Sequence, residues 1–279
     1  MTAANSITPL TGVAAGVPYL ALPPATLAGA DALVAIWHSA DAPRTEAAMA
    51  AALPLPALDA WRVYLGLPLL GSRLPGGSLD GFFALAAVDA VSNVFEPLVG
   101  QAVAEFPAAL RELRRRLGVA PGPVGMVGAS IGAMVALGVL ADGQVPVRTG
   151  ALVSPVIRLA DLVGVNERAF GTPYVWDANR RDIATRLDFV ARAAQVARHE
   201  PALLLVVGAD EDPALVGPAE ALWQDLSAER PDRAALVRVP GLRHALAEEP
   251  GTDPAPQTRH AALTDLAVTD WFSRHPVLS

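Results

Sequence analysis

The apolar positions of this chain follow two alternating patterns. Short, nearly unbroken apolar runs at residues 17–22, 31–38, 61–68, 124–129, 150–157, 202–208 and 235–239 have the length and continuity of strands covered on both faces. The first of them is ended by Pro23-Pro24 and reads as an edge strand. The intervening segments read as helices: residues 45–53, 79–117, 131–142, most of 159–199, 218–230 and 256–272. The 79–117 stretch is one long helix or two abutting ones, with Pro97 and Pro107 as the expected kink or boundary points. A loop is expected at 171–176, and a Gly/Pro-rich loop at 71–78. Strands alternating with helices predict an α/β fold, a mostly parallel, doubly wound sheet flanked by helices. No repeat, low-complexity tract or linker divides the chain, so residues 1–279 are expected to form a single domain.

Composition narrows the function classes. Of the 279 residues 52% are hydrophobic and 18% charged, which is the balance of a globular chain with a sizeable core. A net charge of −7 argues against a nucleic-acid partner, because phosphate binding needs a basic face. The one basic cluster, Arg114-Arg115-Arg116, closes a helical pattern before Gly118, where cations suit the helix dipole. With no cysteine there is neither a disulfide framework nor a thiol nucleophile. The five histidines are scattered without a metal-binding spacing, so no metal is expected. No apolar run reaches membrane-spanning length free of Pro, Gly or charge, so no membrane partner is expected and a cytoplasmic location is.

The chemistry centres on Gly128-Ala129-Ser130-Ile131-Gly132, which matches G-x-S-x-G between a strand and an Ala-rich helix. A serine on such a tight turn is lifted above the sheet, with the helix N-terminus aimed at an oxyanion forming beside it. Two later segments lie at strand ends, where the ligand-facing loops of a parallel sheet collect. Asp210-Glu211-Asp212-Pro213 follows the run 203–208, and His244 follows the run 236–239. The order nucleophile, acid, histidine is the one expected for a hydrolase built on this turn.

On these residues the chain resembles the α/β-hydrolase superfamily, most of all its small serine esterases and acyl hydrolases, over nearly its whole length. The resemblance implies Ser130 as nucleophile, His244 as general base and then acid, and a carboxylate orienting His244. Family spacing from the strand-ending Gly208 points to Glu211, whereas the following Pro213 favours Asp212, as in the family's frequent Asp-Pro. Asp212 is the preferred acid, Asp210 the close alternative and Glu211 the third. The oxyanion hole is expected from the N–H of Ile131 and that of Ala40, with Ser39 next. His38-Ser39 replaces the His-Gly found in related enzymes at that loop. Residues 157–199 correspond to a short helical cap insertion. Trp37, His38, Tyr174 and Trp176 are candidate substrate-pocket residues, although His38 reads better as a loop-packing side chain and the two aromatics serve equally well as the cap's own core. Ser154 ends a strand without an elbow and is not read as a nucleophile.

The function implied is hydrolysis of a carboxylic ester of a small or medium acyl group, a small-molecule substrate, with no cofactor required. The same triad serves thioester or lactone hydrolysis, acyl transfer, C–C cleavage and cyclisation. A binding protein that kept the fold without turnover is the reading from another class, motivated by the His38-Ser39 departure.

Overall fold

The computed structural model describes residues 9–278. Eight strands form one sheet: β1 (Leu10–Ala14), β2 (Val17–Leu22), β3 (Leu33–Trp37), β4 (Trp61–Leu65), β5 (Val124–Ala129), β6 (Val147–Val153), β7 (Ala202–Gly208) and β8 (Ala234–Val239). Their order is β1-β2-β4-β3-β5-β6-β7-β8. From β4 to β8 every pairing is parallel, while β1 and β2 add antiparallel at one side. The run 17–22 is therefore not the edge. β1, which the sequence reading did not recognise as a strand, pairs with β2 as a hairpin and covers it.

The continuous apolar runs are explained by the layers on either side. In β3, Leu33, Ala35 and Trp37 face one core while Val34 and Ile36 face the other. β7 divides in the same way, Leu203, Leu205 and Val207 against Ala202, Leu204 and Val206. With period-2 side chains and helices on both faces, each position needs to be apolar. One face is covered by α1 (Glu46–Ala52) and α9 (Arg259–Arg274). The other is covered by α3 (Glu96–Leu117), α4 (Ile131–Asp142) and α8 (Pro213–Glu229). α4 is buried from Ile131 to Ala141, hydrophobic all round as a central helix should be.

The break in the 79–117 stretch lies at neither proline. α2 (Leu79–Ala90) ends where Asp89 becomes extended (φ −165°, ψ 100°), and a π-helical turn over Val91–Phe95 leads into α3. The Asp89 carboxylate accepts from the N–H groups of Val91 (3.1 Å) and Ser92 (3.0 Å), so it caps the new start. Pro97 then falls in the first turn, where its missing N–H costs nothing, and Pro107 stays inside the helix. Between β6 and β7 lie α5 (Leu159–Phe170), α6 (Ala178–Arg186) and α7 (Ala193–Val196). They are tied to α2 by Asp89, which pairs with Arg180 (2.8 Å) and accepts from the Tyr174 hydroxyl. They are tied to α8 by the Arg168–Asp212 pair (2.9 Å).

Candidate active site

Ser130 sits at the turn from β5 into α4 with φ 52° and ψ −116°, a conformation that costs about 1–3 kcal/mol for a residue with a Cβ. The surrounding backbone holds it there. Its N–H donates to Val153 O (2.9 Å), and its carbonyl accepts from Ala133 N–H (3.0 Å). The glycines of the motif are required by approach distance. A Cβ on Gly128 would lie 2.3 Å from Gly132 O, and one on Gly132 would lie 2.4 Å from His38 O and 2.7 Å from Trp37 O. Gly132 thus lets the end of β3 press against the start of α4, bringing the 38–44 loop beside Ser130.

The structure brings Ser130 and His244 together: Ser130 Oγ is 2.7 Å from His244 Nε2 across 114 positions of sequence. On the far side of the ring, Nδ1 is 3.1 Å from both Glu211 carboxylate oxygens, and the Glu211 side chain is only 4% exposed. An ionised carboxylate only accepts, so Nδ1 carries a proton and, in the neutral ring, Nε2 is the acceptor for the serine hydroxyl. Burial opposes charge on His244. The hydrogen bonds and charges of Asp41 and Glu211 outweigh it, and the pKa is raised to about 10. Ser130 is itself buried, as is the carboxylate behind the ring.

The preferred acid of the sequence reading is corrected here. Asp212 faces away from His244: its carboxylate caps α8 by accepting from Ala214 N–H (2.8 Å) and pairs with Arg168. Those same interactions, the cap first, hold its pKa below the ordinary carboxylate value. The Asp-Pro dipeptide is a helix-start signal, an N-cap followed by proline at the first helical position, and α8 accordingly begins five residues before Pro218. Asp210 is exposed, its N–H donating to Leu242 O (3.0 Å). Glu211, the third choice, is the residue that meets the imidazole. Its turn packs directly on the histidine segment, because a Cβ on Gly208 would fall 2.2 Å from Leu242 O and 2.4 Å from Arg243 O.

The 38–44 loop supplies the rest of the site. The Ser39 N–H is committed to Pro43 O (3.1 Å) and the Asp41 N–H to Ser39 Oγ (2.9 Å). Among the described residues no hydrogen bond engages the N–H of Ala40 or that of Ala42 in this loop. The Ile131 N–H opens α4 and so lacks an intrahelical acceptor. The loop is stitched to the segment after His244: Leu246 N–H donates to Ala42 O (3.1 Å), and Arg44 binds Glu249 (2.8 Å) and Pro250 O (2.9 Å). Asp41 lies closer in than any sequence signal suggested, its Oδ2 3.4 Å from His244 Nε2.

Of the four pocket candidates, two are excluded by burial. Trp37 is 2% exposed and packs edge-on against Phe106 at 4.9 Å in the core. His38 is fully buried, accepting at Nε2 from Leu67 N–H (3.2 Å) and donating from Nδ1 to Ser39 O (2.8 Å). Burial lowers its pKa to about 4 against the opposing effect of the Ser39 carbonyl, so it is a neutral packing residue that orders the loop. Tyr174 and Trp176 are half-buried and stack in a T shape at 5.0 Å. The Tyr174 hydroxyl is spent on Asp89. The tie through Asp89 holds the segment between β6 and β7 to α2. No cluster of His, Asp and Glu suited to a metal occurs among the described residues.

No protein-family model matches the chain, and no curated protein matches it in sequence. Solved structures do. TT1662 from Thermus thermophilus superposes with a TM-score of 0.66 at 19% identity, over 95% of this chain and 98% of that one. A dienelactone hydrolase from Anabaena variabilis gives 0.58 at 18% identity, over 96% and 98%. The acylaminoacyl peptidase of Pyrococcus horikoshii gives 0.63 at 12% identity, over 99% of this chain but 43% of that one. A parallel sheet with an antiparallel start, a strained serine between β5 and α4, and these structural relatives together establish that the chain has the α/β-hydrolase fold.

Proposed function

We propose that the protein is a serine hydrolase cleaving a carboxylic ester of a small or medium acyl group. The observation that carries this reading is the unbroken relay Ser130 Oγ, His244 and Glu211, with contacts of 2.7 Å and 3.1 Å. A serine hydroxyl is a weak nucleophile until a base takes its proton, and the imidazolium so formed needs a negative charge behind it. Ser130 attacks the ester carbonyl as His244 Nε2 removes its proton, and the oxyanion is held by the N–H groups of Ile131 and Ala40. His244 then protonates the leaving oxygen, the alcohol departs, and water activated by the same nitrogen hydrolyses the acyl-enzyme. The helices between β6 and β7 act as a small cap bordering the acyl pocket. That one structural relative is named a dienelactone hydrolase supports hydrolysis of an ester-type bond, a lactone being a cyclic ester. The intact relay speaks against the binding-protein reading.

Labelling the intact protein with a fluorophosphonate, read by peptide mass spectrometry, tests the assignment. One adduct is expected, on the Ser130 peptide, and none on Ser130→Ala. A folded protein that takes no label would overturn the serine-hydrolase reading.

A further inference from the structure

The acyl-enzyme route has no role for Asp41, yet its carboxylate stands 3.4 Å from the nitrogen that serves Ser130. Two carboxylates therefore flank one imidazole, in opposite surroundings. The Glu211 side chain is 4% exposed and that of Asp41 is 49% exposed. Glu211 faces an N–H in both charge states of the ring. Asp41 faces Nε2, which presents a lone pair when the ring is neutral and ready to act as base. A bare carboxylate there is repelled by that lone pair and by the oxyanion developing at the ester carbon. The backbone that carries it is nevertheless held beside the ring, because the Asp41 N–H is bonded to Ser39 Oγ and its loop is stitched to the 246–251 segment. Arg44, the cation nearest in the chain, is occupied by Glu249, Pro250 O and Ala40 O. A group that opposes the reaction when bare favours it once a cation covers it.

We propose that Asp41 is a specificity-determining residue whose carboxylate pairs with an ammonium group carried on the leaving group of the ester. The leaving-group side follows from position: Nε2 delivers its proton to the leaving oxygen, so an atom beside Nε2 on the open side of the ring neighbours that alcohol. The pairing also removes Asp41 from the imidazole. Burial works to raise the Asp41 pKa, but the hydrogen bond and charge of His244, with a smaller contribution from Arg44, bring it below the usual carboxylate value. That mutual stabilisation with protonated His244 is what a substrate ammonium would replace, freeing the ring to act as base. This inference rests on the serine-hydrolase reading.

The test compares two butyrate esters of equal shape, 2-(dimethylamino)ethyl butyrate, protonated near neutral pH, and 3-methylbutyl butyrate. Wild type should favour the cationic ester in kcat/KM by roughly tenfold or more, the worth of a charge-assisted hydrogen bond. In Asp41→Asn the ratio should fall to about one. A second arm needs no variant: 2-(dimethylamino)ethanol should inhibit wild type at roughly tenfold lower concentration than 3-methylbutanol. The same ester ratio in both proteins, or equal inhibition by the two alcohols, overturns the role of Asp41 while labelled Ser130 keeps the hydrolase reading intact. Neither ester cleaved, with Ser130 unlabelled, overturns both.

Discussion

Ser130 and Ser154 occupy equivalent places on neighbouring strands, one at the end of β5 and the other at the end of β6. Both have positive φ, 52° and 40°, and both are buried. Each donates its N–H to the next strand, Ser130 to Val153 O (2.9 Å) and Ser154 to Val206 O (2.7 Å). Their hydroxyls differ. Ser130 Oγ meets His244, whereas Ser154 Oγ is buried without a hydrogen-bond partner among the described residues. Ser130 runs straight into α4, whose first N–H groups point back at it, while Pro155 follows Ser154 and α5 starts only at Leu159. Strand-end position and backbone strain are thus shared. A base within reach and a helix N-terminus set one serine apart, so strain places a hydroxyl and does not by itself activate it.

The largest expected effect comes from making Ser130 resemble Ser154 by disabling its base. Glu211→Gln should lower kcat roughly 10³- to 10⁴-fold, because the ring loses its fixed tautomer and its counter-charge. Asp210→Asn and Asp212→Asn should stay within a few-fold. Steady-state kinetics on one ester ranks the three, and a larger loss at Asp212 than at Glu211 would break the assignment.

The pH dependence sharpens the same contrast. His244 must be neutral to act as base, and its pKa is raised to about 10, so kcat/KM on a neutral ester should climb through the alkaline range before levelling near that value. The stability effect has the opposite sense. A histidine whose folded pKa lies above its ordinary 6.5 contributes stability that is fully present below 6.5 and lost as the pH rises towards about 10. Urea denaturation at pH 6 and pH 10, with His244→Gln as reference, checks the sign. A wild-type advantage that does not shrink between those pH values would contradict it.

The smallest effects concern stability alone. Asp212→Ala removes the α8 cap and should cost about 1 kcal/mol in thermal or urea unfolding. Ser154→Ala deletes a buried hydroxyl without a partner among the described residues, so it should leave activity near wild type and stability equal or up to about 1 kcal/mol higher. A Ser154→Ala variant that lost the fluorophosphonate adduct would dissolve the distinction between the two serines.

Most of the fold was legible because it depends on local pattern. Residues 202–208 form a strand over the very range their apolar run predicts, and α1 spans Glu46–Ala52 with Thr45 as its cap, inside the expected range 45–53. The hairpin strand β1 was not, since Leu10–Ala14 is short and only its pairing with β2 makes it a strand. Pro97 and Pro107 drew the expected break away from Asp89, whose carboxylate caps a helix start that no local rule announces.

The sequence alone determined the alternation of strands and helices, the elbow at Ser130, and the order of serine, acidic cluster and histidine. Each depends on which residue types stand within a few positions of one another. Tertiary structure decided which of three adjacent carboxylates turns inward, that Trp37 and His38 are core rather than pocket, and that Asp41 stands against His244. Neighbouring carboxylates are nearly interchangeable in sequence, and what separates Glu211 from Asp212 is a contact to a ring 33 positions away against a cap two residues ahead. Such choices are made where strands far apart in the chain end side by side, and only the folded sheet puts them there.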